Sequence, residues 1–138
     1  MNSSSKSVLE VVLEADVERM QLLTRQKVLT EQQQYEDDPS KIQHISQELS
    51  DIYERMQLIG ADTAESRAAV ILSGLRFSEE MQCGSTDSLS GGWLMRVALA
   101  SALFIEPDIL MLDEVSCILL YDMLITVILL DYVYMCGY

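Results

Sequence analysis

Two short stretches carry residue types whose order could do chemistry. The first is Leu89-Ser90-Gly91-Gly92-Trp93. Ser90 is a good helix N-cap, the paired glycines let an anion come close to the backbone, and Leu94 to Phe104 continues with helix-forming residues. Backbone N–H groups and the partial positive charge of a helix N-terminus together suit a phosphate. The second is Ile109-Leu110-Met111-Leu112, short, uniformly apolar and set off by Glu106-Pro107, as expected of a buried strand in a parallel sheet. It ends in Asp113-Glu114, and carboxylates at such an edge commonly hold magnesium.

The elements that must position these residues are mostly helical. From Ser7 to Tyr35 there is no Gly or Pro, and Leu9, Leu13, Val17, Met20 and Leu23 fall three or four apart, so one amphipathic helix is expected. Asp37-Asp38-Pro39 stops it. Ser40, with Gln43 three residues on, makes a capping box for a second helix whose apolar positions are Ile42, Ile45, Leu49, Ile52, Met56 and Ile59. That alternation of three and four gives one narrow seam, which Gly60 ends. Each seam is too narrow to be stable alone, so the two helices are expected to pair as an antiparallel hairpin. Asp62 and Glu65 repeat the capping pattern and open a helix with Ala68, Ile71, Leu72 and Leu75 on its core face and Gly74 near its end. Ser78-Glu79-Glu80-Met81 adds a turn, and Cys83 to Asp87 is a loop that aims the helix after Ser90.

Composition bounds the function. The 138 residues suffice for one domain with a modest core, and the net charge is −13. Such acidity argues against binding a nucleic-acid backbone, which rests on clustered Lys and Arg. Cys83, Cys117 and Cys136 have no metal-ligand spacing, and the one histidine, His44, is expected at the surface of the second helix. Reduced thiols, and hence a cytoplasmic protein, are the expectation. The N-terminus MNSSSKSVLE lacks the charged-then-apolar pattern of a signal peptide.

Leu89-Ser90-Gly91-Gly92-Trp93 resembles the signature motif of ABC ATPases, and Ile109 to Glu114 resembles their Walker B strand. The tryptophan after the glycine pair, the MRVALA and ALFIEPD stretches, and the upstream RAAVILSGLRFSEEMQ resemble the F subfamily, soluble twin-cassette proteins that act on ribosomes. The resemblance is good from Glu65 to Glu114, looser upstream, and breaks down beyond. It implies an α/β P-loop NTPase-like fragment, mostly helical, with a short Walker B strand. It implies ATP and Mg²⁺ as cofactors, with Ser90, Gly91 and Gly92 facing the γ-phosphate of ATP held by a second cassette. By the same resemblance Asp113 bears on Mg²⁺ and Glu114 is the catalytic residue that polarises the attacking water. The hairpin resembles the helical arm that the subfamily inserts upstream of its signature region; a generic helical subdomain is the alternative.

The departures are informative. No Gly-x-x-x-x-Gly-Lys-Ser/Thr occurs in the 138 residues, so a phosphate-cradling P-loop is missing and independent ATP binding or catalysis is not expected. The family follows its Asp-Glu with Pro-Thr-Asn; here Val115-Ser116-Cys117 stand, and Leu120 occupies the place of the D-loop aspartate. Within the signature helix Leu94 and Ser101 stand where the subfamily has arginine, while Arg96 is retained. After Arg96 there is no Lys or Arg at all.

Val115 to Tyr138 is unusually apolar, interrupted by Asp122 and Asp131. A membrane span is disfavoured, because it wants about 20 predominantly apolar residues and an Asp at its centre costs about 2.5–3.5 kcal/mol. A buried helix or strand and an altered C-terminus are the alternatives. The expected organisation is a hairpin at 1–60, a signature and Walker B segment at 61–114, and a divergent tail at 115–138. The expected function is that of a partial first cassette with a second cassette, and through its parent class the ribosome, as partners. A catalytically dead helical interaction module working through the Ile42 to Ile59 seam, and a non-functional truncated product, are the competing readings.

Overall fold

The computed structural model of the chain describes residues 6–106, and helices account for most of them. The expected strand at Ile109 to Leu112, the carboxylates Asp113 and Glu114, and the apolar tail lie outside the described residues. Among the described residues there is no sheet, and no helix is long and apolar enough to cross a membrane. Contacts divide these residues into two compact units, Asp16–Ala64 and residues 6–15 with 65–106.

Asp16–Ala64 is a helical hairpin of α2 (Val17–Tyr35) and α3 (Pro39–Leu58). Asp16 caps α2, its carboxylate accepting from the Arg19 N–H at 2.9 Å. The expected capping box at Ser40 is displaced two residues upstream: Asp38 is the cap and accepts from the Ser40 N–H at 2.9 Å. Pro39 explains the shift. Its fixed φ suits the first helical position, where an N–H would go unbonded anyway.

Leu49 and Ile52 of α3 bury against Leu29 of α2, with Leu22, Ile45 and Met56 packed around them. The Ile45 to Met56 part of the α3 seam is therefore filled from within the hairpin. On α2 the register differs from expectation, because Val17 is 61 % exposed while Leu29 is buried. Arg55 to Glu18 at 2.6 Å, Arg25 to Glu48 at 2.7 Å and Gln33 to Ser46 at 3.0 Å fix the antiparallel pairing. The guanidinium partners hold the Glu18 and Glu48 carboxyls below their ordinary value. Gly60 ends α3 at φ +63°, with Ala61 N–H bonded to Met56 O and Gly60 N–H to Gln57 O. That is a Schellman turn.

The other unit contains α1 (Val8–Glu14), α4 (Ala64–Gly74), α5 (Glu79–Cys83) and α6 (Gly91–Phe104). The single helix expected over Ser7 to Tyr35 is thus broken at Ala15-Asp16. Ser7 opens α1 with a capping box: its hydroxyl accepts from Glu10 N–H and the Glu10 carboxylate accepts from Ser7 N–H at 2.7 Å. Those bonds, the backbone one foremost, lower the Glu10 carboxyl. Val8 and Val12 are fully buried, whereas the expected Leu9 and Leu13 are only half-buried. α1 packs on α5 and α6.

The expected α4 core face, Ala68, Ile71, Leu72 and Leu75, is buried. Ser78 caps α5 as anticipated, accepting from Met81 N–H at 3.3 Å. His44 is exposed.

Candidate functional site: the turn into α6

The approach to Ser90 is built by short hydrogen bonds. Ser85 accepts from Asp87 N–H at 3.1 Å and opens a 3-10 turn over Thr86–Ser88; Leu89 N–H then bonds Thr86 O at 3.1 Å. Ser90 follows in extended conformation, φ −71° and ψ 163°, and its carbonyl accepts the first bond of α6 from Leu94 N–H at 3.0 Å. Its side chain makes no capping hydrogen bond. The hydroxyl is therefore not spent on its own helix, unlike those of Ser7 and Ser78. Gly91 and Gly92 are exposed, and a Cβ at either would meet nothing within 4 Å. No internal crowding requires glycine there; what a side chain would fill is the open approach to the first N–H groups of α6. A phosphate fits that approach.

The turn is held from behind by α4. Trp93 meets Phe77 edge-to-face, with centroids 4.9 Å apart and planes at 70°. The Arg96 guanidinium lies 4.8 Å from the Trp93 ring centroid and donates to Leu75 O at 3.0 Å. Leu75 and Phe77 flank Arg76, which ends α4 in a Schellman turn at φ +73° with Phe77 N–H bonded to Leu72 O and Arg76 N–H to Ser73 O. Gln82 is the buried polar side chain of this unit. Its amide donates to Ser73 Oγ at 3.0 Å and to Phe77 O at 3.3 Å, so the same turn is tied to α5. At the far end of α6, Arg67 lies over the Phe104 ring at 5.3 Å and pairs with Glu106 at 2.6 Å.

Ser90, Gly91 and Gly92 thus come together on one exposed helix start. Asp113 and Glu114 lie outside the described residues, and among the described residues no cluster of acidic, His or Cys side chains could hold a metal ion. Leu94 and Met95, next along α6, are 45 % and 59 % exposed. An exposed apolar side chain, Leu94, thus stands beside the start of α6.

Residues 3–116 match the family described as ABC transporter. The chain belongs to that family. Within it, the relatives place the chain in the F subfamily. It is 46 % identical over 119 residues to ABC transporter F family member 3 of Arabidopsis thaliana, covering 78 % of this chain and 17 % of that protein. It is 47 % identical over 107 residues to ATP-binding cassette sub-family F member 3 of Homo sapiens, covering 77 % and 14 %. Protein GCN20 of Saccharomyces cerevisiae is 39 % identical over 131 residues, covering 84 % and 17 %. The chain spans about a sixth of the length of these curated relatives.

In this F-subfamily chain the helix start at Ser90 is legible in the sequence, whereas its braces, Gln82 and Arg76, are not. The one signal for Gln82 is that it is the sole carboxamide in the short helix Glu79–Cys83. No signal marked Arg76, because arginine seldom adopts positive φ.

Proposed function

We propose that this chain contributes the signature half of a composite ATP site, as part of an ABC-F type ATP-binding protein associated with translation. The observation that carries the reading is the exposed start of α6, where Ser90 keeps an uncommitted hydroxyl and Gly91 and Gly92 leave the helix N–H groups open. Together with a γ-phosphate and Mg²⁺ held on a second, P-loop-bearing cassette, these donors close one site across two cassettes. Mg²⁺ bound there would supply neutralisation of the charge that develops during transfer. Asp113 is assigned to that metal and Glu114 to the attacking water, on the match of Ile109 to Glu114 to a Walker B strand.

The chain does not turn ATP over by itself. Phosphoryl transfer depends on positioning and electrostatic stabilisation, and the P-loop that supplies most of both is not in the 138 residues. An arm-like coiled-coil hairpin, with its two helices within Asp16–Ala64 rather than spread over 1–60, a signature and Walker B segment at 61–114, a tail at 115–138, ribosome contact and a cytoplasmic setting belong to the same proposal. The subfamily resemblance and the buried Leu49, Ile52 and Leu29 seam support it.

Fluorescent ATP with Mg²⁺ tests the reading. The chain alone gives no saturable binding, and a P-loop cassette binds ATP more tightly when the chain is added. Saturable binding by the chain alone, or no change on mixing, contradicts it. Leu94→Arg places a cation beside the phosphate approach and is expected to strengthen the mixing effect several-fold.

A further inference from the structure

The start of the described chain reaches back to the loop before Ser90. Val8 N–H donates to Gly84 O at 3.0 Å, Thr86 N–H donates to Lys6 O at 3.1 Å, and Ser7 and Ser85 face each other as an isolated antiparallel bridge. Thr86 Oγ1 adds a bond to Lys6 O at 3.3 Å. Nearly eighty residues of sequence, including the entire hairpin, separate the two sides of this clasp. Below it Val8 and Val12 are fully buried, and α1 packs on both α5 and α6.

The clasp grips the loop at its base. Only Asp87, Ser88 and Leu89 stand between Thr86 and Ser90, and the 3-10 turn bonded from Leu89 N–H to Thr86 O leaves them little freedom. Phe77 and Arg96 fix Trp93 on the helix side of the glycines. Ser90, Gly91 and Gly92 are exposed, and the Ser90 side chain makes no capping bond. Their placement comes from these two supports.

We infer that Lys6, Ser7 and Val8 form a strap that positions the phosphate-facing turn, acting through Gly84 and Thr86. The inference rests on the proposed signature role of Ser90, Gly91 and Gly92. The strap residues touch no ligand; they are positioning residues. With the strap released, the turn keeps its donors but loses the geometry that aims them, so affinity for a γ-phosphate falls while the helices persist.

Two substitutions remove strap bonds from opposite sides. Val8 is the first residue of α1 and Thr86 the first of the 3-10 turn, positions that suit proline; Thr86→Pro removes both Thr86 bonds to Lys6 O, and Val8→Pro removes the N–H bonded to Gly84 O while replacing one buried aliphatic side chain by another. Ser7 at ψ 158° and Ser85 at ψ 138° already have the extended backbone that a following proline requires. Trp93 is the sole tryptophan, so its fluorescence reports the turn alone.

In Val8→Pro and in Thr86→Pro, acrylamide quenching of Trp93 is expected to rise at least twofold with helical circular dichroism unchanged. The ATP-tightening effect on a P-loop cassette is expected to fall about tenfold. Unchanged quenching in both overturns the strap, whatever the nucleotide result. If the unaltered chain gives no ATP effect while quenching still rises, the signature reading fails and the strap stands.

Should a proline variant not fold, amide exchange in the unaltered chain decides. Val8, Thr86 and Leu94 amides opening with the same protection supports the strap. Val8 and Thr86 exchanging a hundredfold faster than Leu94 overturns it.

Discussion

Among the described residues, three helices end on a residue with positive φ: Gly60 at +63°, Arg76 at +73° and Glu106 at +50°. Only the first is the residue that such a position favours. A Cβ at Gly60 would approach Thr63 Oγ1 to 3.3 Å in a conformation L residues resist, so Gly60→Ala is expected to cost about 1 kcal/mol, read as a lower urea midpoint. Arg76 tolerates the same geometry because Phe77 behind it is buried and the turn is bonded on both sides, to Leu72 and from Gln82. Gln82→Leu leaves Phe77 O without that donor and is expected to cost about 1–3 kcal/mol, with a change in Trp93 emission because Phe77 meets Trp93. A merely local loss would leave the emission unmoved. Arg96 also braces Trp93. Arg96→Lys keeps the charge but not the planar guanidinium that stacks on Trp93 while bonding Leu75 O, so it is expected to behave as a loss.

At the scale of elements, the hairpin and α6 were legible for different reasons. The α3 seam follows from the spacing of Ile45, Leu49, Ile52 and Met56, and the structure buries that stripe against α2. Ser90 was legible as a cap because serine before glycine and a helix-forming run is a local signal. The break at Ala15-Asp16 was not, although Asp16 is a capping residue, since no Gly or Pro interrupts the run from Ser7 to Tyr35.

Nor could the face of α1 be foreseen. Val8 and Val12 rather than Leu9 and Leu13 turn inward because the Val8 and Lys6 backbones are tied to Gly84 and Thr86, a contact no local window contains. Asp38-Pro39, expected as a stop, is also the start of α3.

Two predictions belong to the hairpin. Leu49→Ala opens its core and is expected to cost about 2–4 kcal/mol, seen as loss of hairpin helicity by circular dichroism. Glu18 and Glu48 have carboxyls lowered chiefly by hydrogen bonds from Arg55 and Arg25. A lowered folded value means their contribution is complete above the ordinary carboxylate value of 4.5 and is lost as the pH falls through the lower folded values. Both pairs are exposed, so the effect is modest and is screened by salt. Hairpin melting temperatures measured from pH 6 down to about 3 should fall less in a Glu18→Gln, Glu48→Gln variant than in the unaltered chain.

For the whole molecule, membership of the ABC transporter family and its F subfamily follows from the match over residues 3–116 and from the named relatives. The acidic balance, −13 overall with no Lys or Arg after Arg96, makes this chain a poor anion binder by long-range field. Any phosphate it meets must be held by local backbone donors and delivered by another body. That is the physical content of the half-site proposed above: open N–H groups, a serine hydroxyl outside the helix cap, a braced tryptophan, and a P-loop on a second cassette. The most direct measurement uses ATP carrying a photoreactive γ-phosphate, loaded on a P-loop cassette and mixed with this chain. Mapping by mass spectrometry should place the crosslink within Ser90 to Trp93, and Ser90→Arg should abolish it. Crosslinks scattered over the hairpin, or none on this chain while the cassette is labelled, would contradict the proposed half-site.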